Sequence, residues 1–184
     1  MTITAGAELH FQKLNEAVRE SRDTEITVDN CLGQRYIGAG LSGKTVTING
    51  TPGNALGAYL DGAEIVVHGN AQDAMGDTMN AGSIVVYGNG GDAVGYAMRG
   101  GRIFIRGNAG YRVGIHMKAY KENKPVIVIG GRCGSFLGEY QAGGIIAVLG
   151  LGGEARPIVG NFCGTGMPGG EIYLRTDKPP PLLP

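Results

Sequence analysis

Two aspartates are the side chains whose types and spacing come closest to a chemical site. Asp73 and Asp92 lie 19 residues apart at the same position of a repeated pattern, so we expect their carboxylates to stack one repeat apart. Neighbouring carboxylates can bind a cation or share a proton in acid–base chemistry. Asn54 and Tyr111 hold this position in the adjacent repeats, however, and they do not extend a line of metal ligands. We therefore predict no metal site.

The histidines and cysteines also lack the spacing that chemistry requires. The three histidines are His10, His68 and His116, and the three cysteines are Cys31, Cys133 and Cys163. No histidine has a nucleophile or a carboxylate fixed beside it by spacing. The cysteines form no CxxC pair and have no histidine pair nearby, so neither a zinc site nor a disulfide framework is indicated. We predict ordinary surface or half-buried histidines, free thiols and no catalytic residue.

Two segments match the dinucleotide-binding pattern GxGxxG. They run from Gly38 to Gly43 and from Gly164 to Gly169. That pattern binds a pyrophosphate only at a strand-to-helix turn, where a helix N-terminus meets the ligand. Both segments lie at equivalent positions of a repeat, and no helical pattern follows either of them. We predict no cofactor-binding site on this chain.

The composition excludes several classes of protein. Of the 184 residues, 35 are glycine, 42% are hydrophobic and 17% are charged, with 16 basic residues balancing 16 acidic ones. Such a chain is neither disordered nor a nucleic-acid binder with a basic face. It has no apolar run approaching the ~20 residues of a membrane span and no leader pattern at its start. We expect a cytoplasmic protein.

Glycine recurs at a spacing of 19 residues in two series. The series are Gly50, Gly69, Gly88 and Gly107, and Gly38, Gly57, Gly76, Gly95 and Gly114. Between them lie runs in which β-branched residues alternate with residues of mixed polarity, which is typical of a strand with one buried face. We expect the buried set to be Val46, Ile48, Ile65, Val67, Ile84, Val86, Ile103, Ile105, Val126, Val128, Ile146 and Val148.

A unit of 19 residues is too short for a β–α–β crossover, and repeated strands of the same polarity imply parallel pairing. We therefore predict an all-β fold: a right-handed single-stranded parallel β-helix of about seven 19-residue coils, with glycines at its corners. Asn70, Asn89 and Asn108 occupy one register, so we expect their side chains to stack as a ladder.

The two ends of the chain differ from the repeats. Residues 7–21 have apolar side chains at helical spacing, and we expect an N-terminal helix that caps the first coil. Docking of this helix on a partner is the alternative that the sequence leaves open. The predicted organisation is a helical segment at 1–24, the β-helix at 25–176 and an extended proline-rich tail at 177–184. Insertions at 119–124 and 151–157 are expected to be contact loops.

The repeated glycines form the motif G-xx-G-xxx-G, and we expect them at structural corners. The complete copies are Gly50, Gly53 and Gly57; Gly88, Gly91 and Gly95; Gly107, Gly110 and Gly114; and Gly131, Gly134 and Gly138. The copy with Gly69, Gln72 and Gly76 lacks one glycine.

This motif resembles the GXGXG domain at the C-terminus of the glutamate synthase large subunit, which exists as a separate polypeptide in some prokaryotes. The resemblance covers residues 25–176, and FQKLNEAVRE resembles the segment that precedes the domain in the stand-alone forms. The domain in that family is a right-handed β-helix.

The resemblance implies a scaffold without catalytic residues. In glutamate synthase an amidotransferase domain releases ammonia from glutamine, and a synthase domain with FMN and an iron–sulfur cluster reduces 2-iminoglutarate to glutamate. The implied partners are separate amidotransferase and FMN-dependent synthase subunits, which would hold the FMN and the cluster. A homo-oligomer is also possible, whereas no nucleic acid or membrane partner is indicated.

Two other interpretations stay open. The C subunit of formylmethanofuran dehydrogenase resembles this chain because it carries the same glycine motif within a metal- and pterin-containing complex. A free-standing β-helical enzyme or ligand-binding protein is the other. Hexapeptide acyltransferases build 18-residue coils from six-residue units, and this chain has a period of 19 without that substructure.

Overall fold

The computed structural model describes residues 1–152, 156–178 and 180. These residues form one nine-stranded, all-parallel sheet in which the strands follow sequence order, together with one short helix. The elements are β1 Thr2–Thr4, α1 Phe11–Glu20, β2 Glu25–Leu32, β3 Thr45–Thr51, β4 Asp61–His68, β5 Ala81–Val86, β6 Arg102–Ile105, β7 Val126–Ile129, β8 Ala142–Val148 and β9 Gly169–Leu174.

The hydrophobic core lies on one face of this sheet. In β4, Ile65 and Val67 are fully buried, whereas Val66 between them is half-buried. The 19-residue spacing sets the register of the central strands, because Ile65 pairs with Ile84 and Ile84 with Ile103. Burial of such a side chain stabilises the fold by about 1.5 to 3 kcal/mol. The predicted parallel pairing of successive strands is confirmed.

Strand β7 has the opposite phase from the one expected. We predicted that Val126 and Val128 face the core, but the buried residues are Ile127 and Ile129. The register pairs Ile103 with Ile127. All four residues of β7 are apolar, so alternation alone cannot decide which pair faces inward. Val126 and Val128 therefore lie on the outer face of the sheet.

The predicted architecture is wrong in three respects, although the chain is mostly strands as an all-β fold requires. The structure shows a nine-stranded parallel sheet, not a right-handed β-helix of about seven coils. Strand β1 was missed because three residues are too few to show a period, and it pairs with β2. The helix lies between β1 and β2 and is therefore not an N-terminal cap.

Helix α1 is held by side chains from the strand region. Leu14 and Val18, four residues apart, are buried in the core. The Lys44 ammonium donates to the backbone carbonyl of Val18 at 3.1 Å and also to that of Ser21, which satisfies carbonyls at the C-terminal end of the helix. The side-chain amide of Asn15 donates to the carbonyl of Arg35 at 2.9 Å. These contacts fix the helix on the segment that joins β2 and β3.

The segments between strands contain alternating left-handed residues. In one of them Ala93, Gly95 and Ala97 have φ angles of 54°, 68° and 50°. The Gly95 N–H donates to the carbonyl of Met75 in the preceding segment, and the Ala93 N–H donates to that of Tyr111 in the following one, both at 2.8 Å. The backbone N–H groups of one left-handed residue and the next therefore point in opposite directions. Hydrogen bonds therefore join these segments on both sides, as in the sheet.

Candidate functional site

A ladder of asparagine side chains runs across three successive segments. The Asn70 Oδ1 accepts from the backbone N–H of Asn89 at 2.8 Å, and the Asn89 Oδ1 accepts from that of Asn108 at 2.8 Å. The Asn108 Oδ1 in turn accepts from the backbone N–H of Arg132 at 2.9 Å. The predicted ladder is confirmed. Each side chain satisfies a backbone donor that the sheet does not reach.

The two candidate aspartates form a second ladder of the same kind. The Asp73 Oδ1 accepts from the backbone N–H of Asp92 at 2.8 Å, and the Asp92 Oδ1 accepts from that of Tyr111 at 2.8 Å. The Asn54 Oδ1 continues the line with a 3.3 Å contact to the Asp73 N–H. Within the described residues, no group of three or more His, Cys, Asp or Glu side chains could hold a metal ion. The arrangement assigns these carboxylates to backbone hydrogen bonding.

Changing Asp92 separates this structural role from a chemical one. Asp92→Asn keeps an oxygen that accepts from the Tyr111 N–H, so we expect the free energy of unfolding to change by less than about 0.5 kcal/mol. Asp92→Ala removes the acceptor and should cost about 1 kcal/mol. Urea denaturation with and without about 5 mM Ca²⁺ measures both effects. Stabilisation of the wild type by Ca²⁺ that Asp92→Asn abolishes would contradict the structural role.

The glycines of the repeated motif lie in the segments that join successive strands, apart from Gly50, which lies within β3. They were expected at the corners of a β-helix, whereas the structure shows a parallel sheet. Each glycine holds one of three positions in the motif. The first position is held by Gly50, Gly69, Gly88, Gly107 and Gly131, the second by Gly53, Gly91, Gly110 and Gly134, and the third by Gly57, Gly76, Gly95, Gly114 and Gly138.

The first two motif positions pack against the preceding segment. A Cβ on Gly88 would lie 2.4 Å from the Asn70 Oδ1, and one on Gly91 would lie 2.2 Å from the Asp73 Oδ1. A Cβ on Gly110 would likewise overlap the Asp92 Oδ1. These glycines therefore leave space for the two side-chain ladders.

Where no ladder side chain is present, the second position meets the backbone. A Cβ on Gly53 would lie 2.2 Å from the carbonyl oxygen of Gly33, and one on Gly134 would lie 3.0 Å from the carbonyl carbon and oxygen of Gly110. The contact at Gly134 is the looser of the two. Both glycines thus permit a close approach of two backbone segments.

The third motif position faces the core and has a left-handed backbone. Gly95 has a φ of +68°, and its Cβ would lie 2.4 Å from the Cδ1 of Ile127. Gly138 has a φ of +65°, and its Cβ would lie 2.6 Å from the Cδ1 of Ile172. Each contact is with an isoleucine of a following strand. The motif as a whole therefore links the side-chain ladders to the core.

The cysteines are free thiols, and two of them are buried. Burial raises the pKa of Cys31 to about 11. It also raises the pKa of Cys133 strongly, with a smaller contribution from Cys163, whose own pKa is raised by burial. A raised pKa keeps a thiol protonated near neutral pH, and the thiol form is a poor nucleophile and metal ligand.

The histidines occupy three separate places. The Nδ1 of His10 accepts from the backbone N–H of Gln12 at 3.4 Å, so His10 caps the N-terminus of α1. His68 stacks on Tyr87 with ring centroids 5.1 Å apart. His116 stacks on Tyr140, also at 5.1 Å. The structure does not bring the three histidines together.

A cluster of aromatic and cationic side chains, in which Phe162 is exposed and Phe136 is half-buried, was not predicted from the sequence. The Phe136 and Phe162 rings stack at 4.8 Å, and the guanidinium of Arg112 lies 4.7 Å from the Phe136 centroid. Arg112 also forms an ion pair of 3.5 Å with Glu139. Arg112, Phe136 and Phe162 all have positive φ and each stands two residues before a glycine that also has positive φ. That fixed offset is the signal that sequence reasoning missed.

The two GxGxxG segments lead into strands β3 and β9. In the insertion at 119–124, Tyr120 and Asn123 form an antiparallel bridge. The insertion at 151–157 lies partly outside the described residues, as does most of the proline-rich tail beyond Lys178. Within the described part of the chain, no helix is long and apolar enough to cross a membrane.

The chain matches a family model and a curated protein. The family model is that of the GXGXG motif, and it matches residues 10–180. The similar protein is the uncharacterized protein MJ1350 of Methanocaldococcus jannaschii, which is 49% identical over 178 residues, with 91% of this chain and 68% of the relative covered. The family match spans the side-chain ladders and strands β2 to β9. The chain therefore belongs to the GXGXG motif family.

Proposed function

We propose that this chain is a non-catalytic structural subunit of a glutamate synthase-type complex in the cytoplasm. Its partners would be a glutamine amidotransferase subunit and an FMN-dependent synthase subunit, which would carry the FMN and the iron–sulfur cluster. The match to the GXGXG motif over residues 10–180 carries the proposal. In this role the chain contributes to ammonia assimilation and glutamate biosynthesis by assembling subunits, not by reacting with substrate.

The roles of the polar side chains support a scaffold. The carboxylates of Asp73 and Asp92 accept from backbone N–H groups, and the thiols of Cys31 and Cys133 are buried with raised pKa values. General bases and nucleophiles need a partner that activates them and a position that a substrate can reach. These groups instead join one segment of the fold to the next or fill its core.

A tagged copy of the chain, recovered from its native cell at low salt, tests the proposal. We expect stoichiometric co-elution of the amidotransferase and FMN-dependent synthase chains, identified by mass spectrometry. Molybdopterin-enzyme subunits in their place would favour a formylmethanofuran dehydrogenase-type complex. Recovery of the chain alone, or turnover of glutamine by the purified chain, would contradict a scaffold role.

A further inference from the structure

The outer face of the sheet changes character along one row of paired residues. The row begins with three threonines, Thr2 in β1, Thr27 in β2 and Thr47 in β3. From β4 onward the row is apolar up to β8 and ends in a tyrosine: Val66, Val85, Phe104, Val128, Ala147 and Tyr173. Threonine and valine both suit strands, so strand propensity does not require this change. It indicates a difference in what covers the two parts of the face.

The apolar part is wider than one row. In the adjoining row, Val126 of β7 pairs with Ile145 of β8, and both are half-buried. The outer patch, as we define it, consists of Val85, Phe104, Val126, Val128, Ile145 and Ala147. Phe104 at its centre is 37% exposed. Purely parallel sheets normally have both faces covered, and contiguous apolar surface of this kind marks interaction sites.

Two arginines flank the centre of the outer patch. Arg102 begins β6 and Arg106 follows its last residue, so both side chains lie on the Phe104 side of the strand. At about 3.3 Å per residue they are roughly 13 Å apart. Neither guanidinium forms an ion pair with a described residue. On the outer face of β5 to β8 these are the charged side chains, and both are positive. Between β4 and β9, carboxylates stand in the Arg102 row only at the two ends, at Glu64 in β4 and at Glu171 in β9.

The two arginines at the centre of the outer patch favour one kind of partner. If a second copy packed its outer patch on this one strand by strand, with the strands antiparallel, Arg102 of one chain would lie opposite Arg106 of the other. Like charges in such an interface are costly. A different chain with an apolar surface and carboxylates at its rim would pair with both arginines, and guanidinium–carboxylate pairs give geometric specificity.

The geometry points to the outer patch as the docking face for a different protein chain, one whose own surface is apolar and rimmed by carboxylates. This inference rests on the proposed function, which supplies the FMN-dependent synthase subunit as the chain to test. Phe104 would be the central anchor, because aromatic residues at the centre of an interface carry much of its binding energy. Arg102 and Arg106 would set the orientation and speed the encounter.

Binding of the purified synthase subunit to the immobilised chain tests this inference. Val85→Thr with Val128→Thr should weaken the Kd at least tenfold, which is about 1.4 kcal/mol, because apolar contact area is lost. The melting temperature should not move, since threonine already stands in the same row at Thr27 and Thr47. Arg102→Glu with Arg106→Glu should also weaken binding at least tenfold and remove its salt dependence. The matched control, Lys13→Glu with Arg22→Glu on and beside α1, should bind as the wild type does.

The possible outcomes distinguish this inference from the proposed function. Wild-type binding that both pairs of outer-patch variants leave unchanged would overturn the docking face and leave the proposed function intact. A wild type that binds neither the synthase nor the amidotransferase subunit would contradict the proposed function and the inference together. Sedimentation of the chain alone is the second measurement. A dimer that Val85→Thr with Val128→Thr dissociates would identify a second copy as the occupant and overturn the inference.

Discussion

Replacing Gly95 by valine is expected to destabilise the fold by about 3 to 6 kcal/mol, combining overpacking with backbone strain. The new Cβ would lie 2.4 Å from the Cδ1 of Ile127 and 3.5 Å from the sulfur of Met98. Ile127 is fully buried, so its side chain has little space to move away. The φ of +68° adds strain, which is greatest for a β-branched residue. In a thermal unfolding experiment the melting temperature should fall by on the order of 10 °C.

Substitutions at two other glycines measure separately the cost of backbone strain and the cost of a steric contact with a new Cβ. Gly43 has a φ of +61° with nothing within 4 Å of its Cβ position, so Gly43→Ala should cost only about 1 kcal/mol. Gly69 has no positive φ, but its Cβ would lie 2.2 Å from the carbonyl oxygen of Gly50. Gly69→Ala should therefore be much more costly than Gly43→Ala. A Gly95→Val protein that melts within a degree of the wild type would contradict this assignment.

Replacing Gln34 by leucine is expected to cost about 3 kcal/mol, because several polar groups lose their partner at once. The Gln34 Oε1 accepts from the backbone N–H of Leu32 at 2.7 Å, and its Nε2 donates to the carbonyls of Gly6 and Leu9 at 2.7 Å and 3.2 Å. Gln34 is only 5% exposed. Its side chain thus joins the segment between β1 and α1 to the end of β2.

Urea denaturation measures this loss against a matched change at Gln72, which is exposed. Gln72→Leu should change the free energy of unfolding by less than about 0.5 kcal/mol. Hydrogen exchange should also show faster opening of β1 and α1 in Gln34→Leu, because the lost bonds hold that region. Equal stabilities for the two variants would show that the Gln34 contacts contribute little.

The 19-residue spacing predicted much of the strand register. It placed Ile65, Ile84 and Ile103 in one column, and the structure pairs them in that order. The same spacing predicted the asparagine ladder from Asn70 to Asn108. Both succeed because a residue at a fixed offset meets its equivalent in the next repeat. A period does not specify how the chain winds between strands, so the predicted β-helix of seven coils was wrong.

Other features lacked a local signal. Strand β7 is apolar at every position, so its phase depends on the pairing of Ile103 with Ile127. The left-handed residues on either side of Gly95 are alanines, and nothing in their type marks a positive φ. For that reason the cluster around Arg112 and Phe136, which depends on the same conformation, was also missed. The family was recognisable because its motif consists of glycines. The structure leaves little space for a Cβ at these positions.

Reconstitution of the proposed complex tests the central claim most directly. Purified amidotransferase and FMN-dependent synthase subunits would be assayed with and without this chain for the glutamate formed from 2-oxoglutarate per glutamine hydrolysed. We expect the chain to join both subunits in one particle and to raise that ratio to about one, because assembly confines the ammonia between the two sites. Asp92→Asn should support the same ratio. Full coupling without the chain, or loss of turnover in Asp92→Asn with assembly intact, would contradict a scaffold that contributes no reacting group.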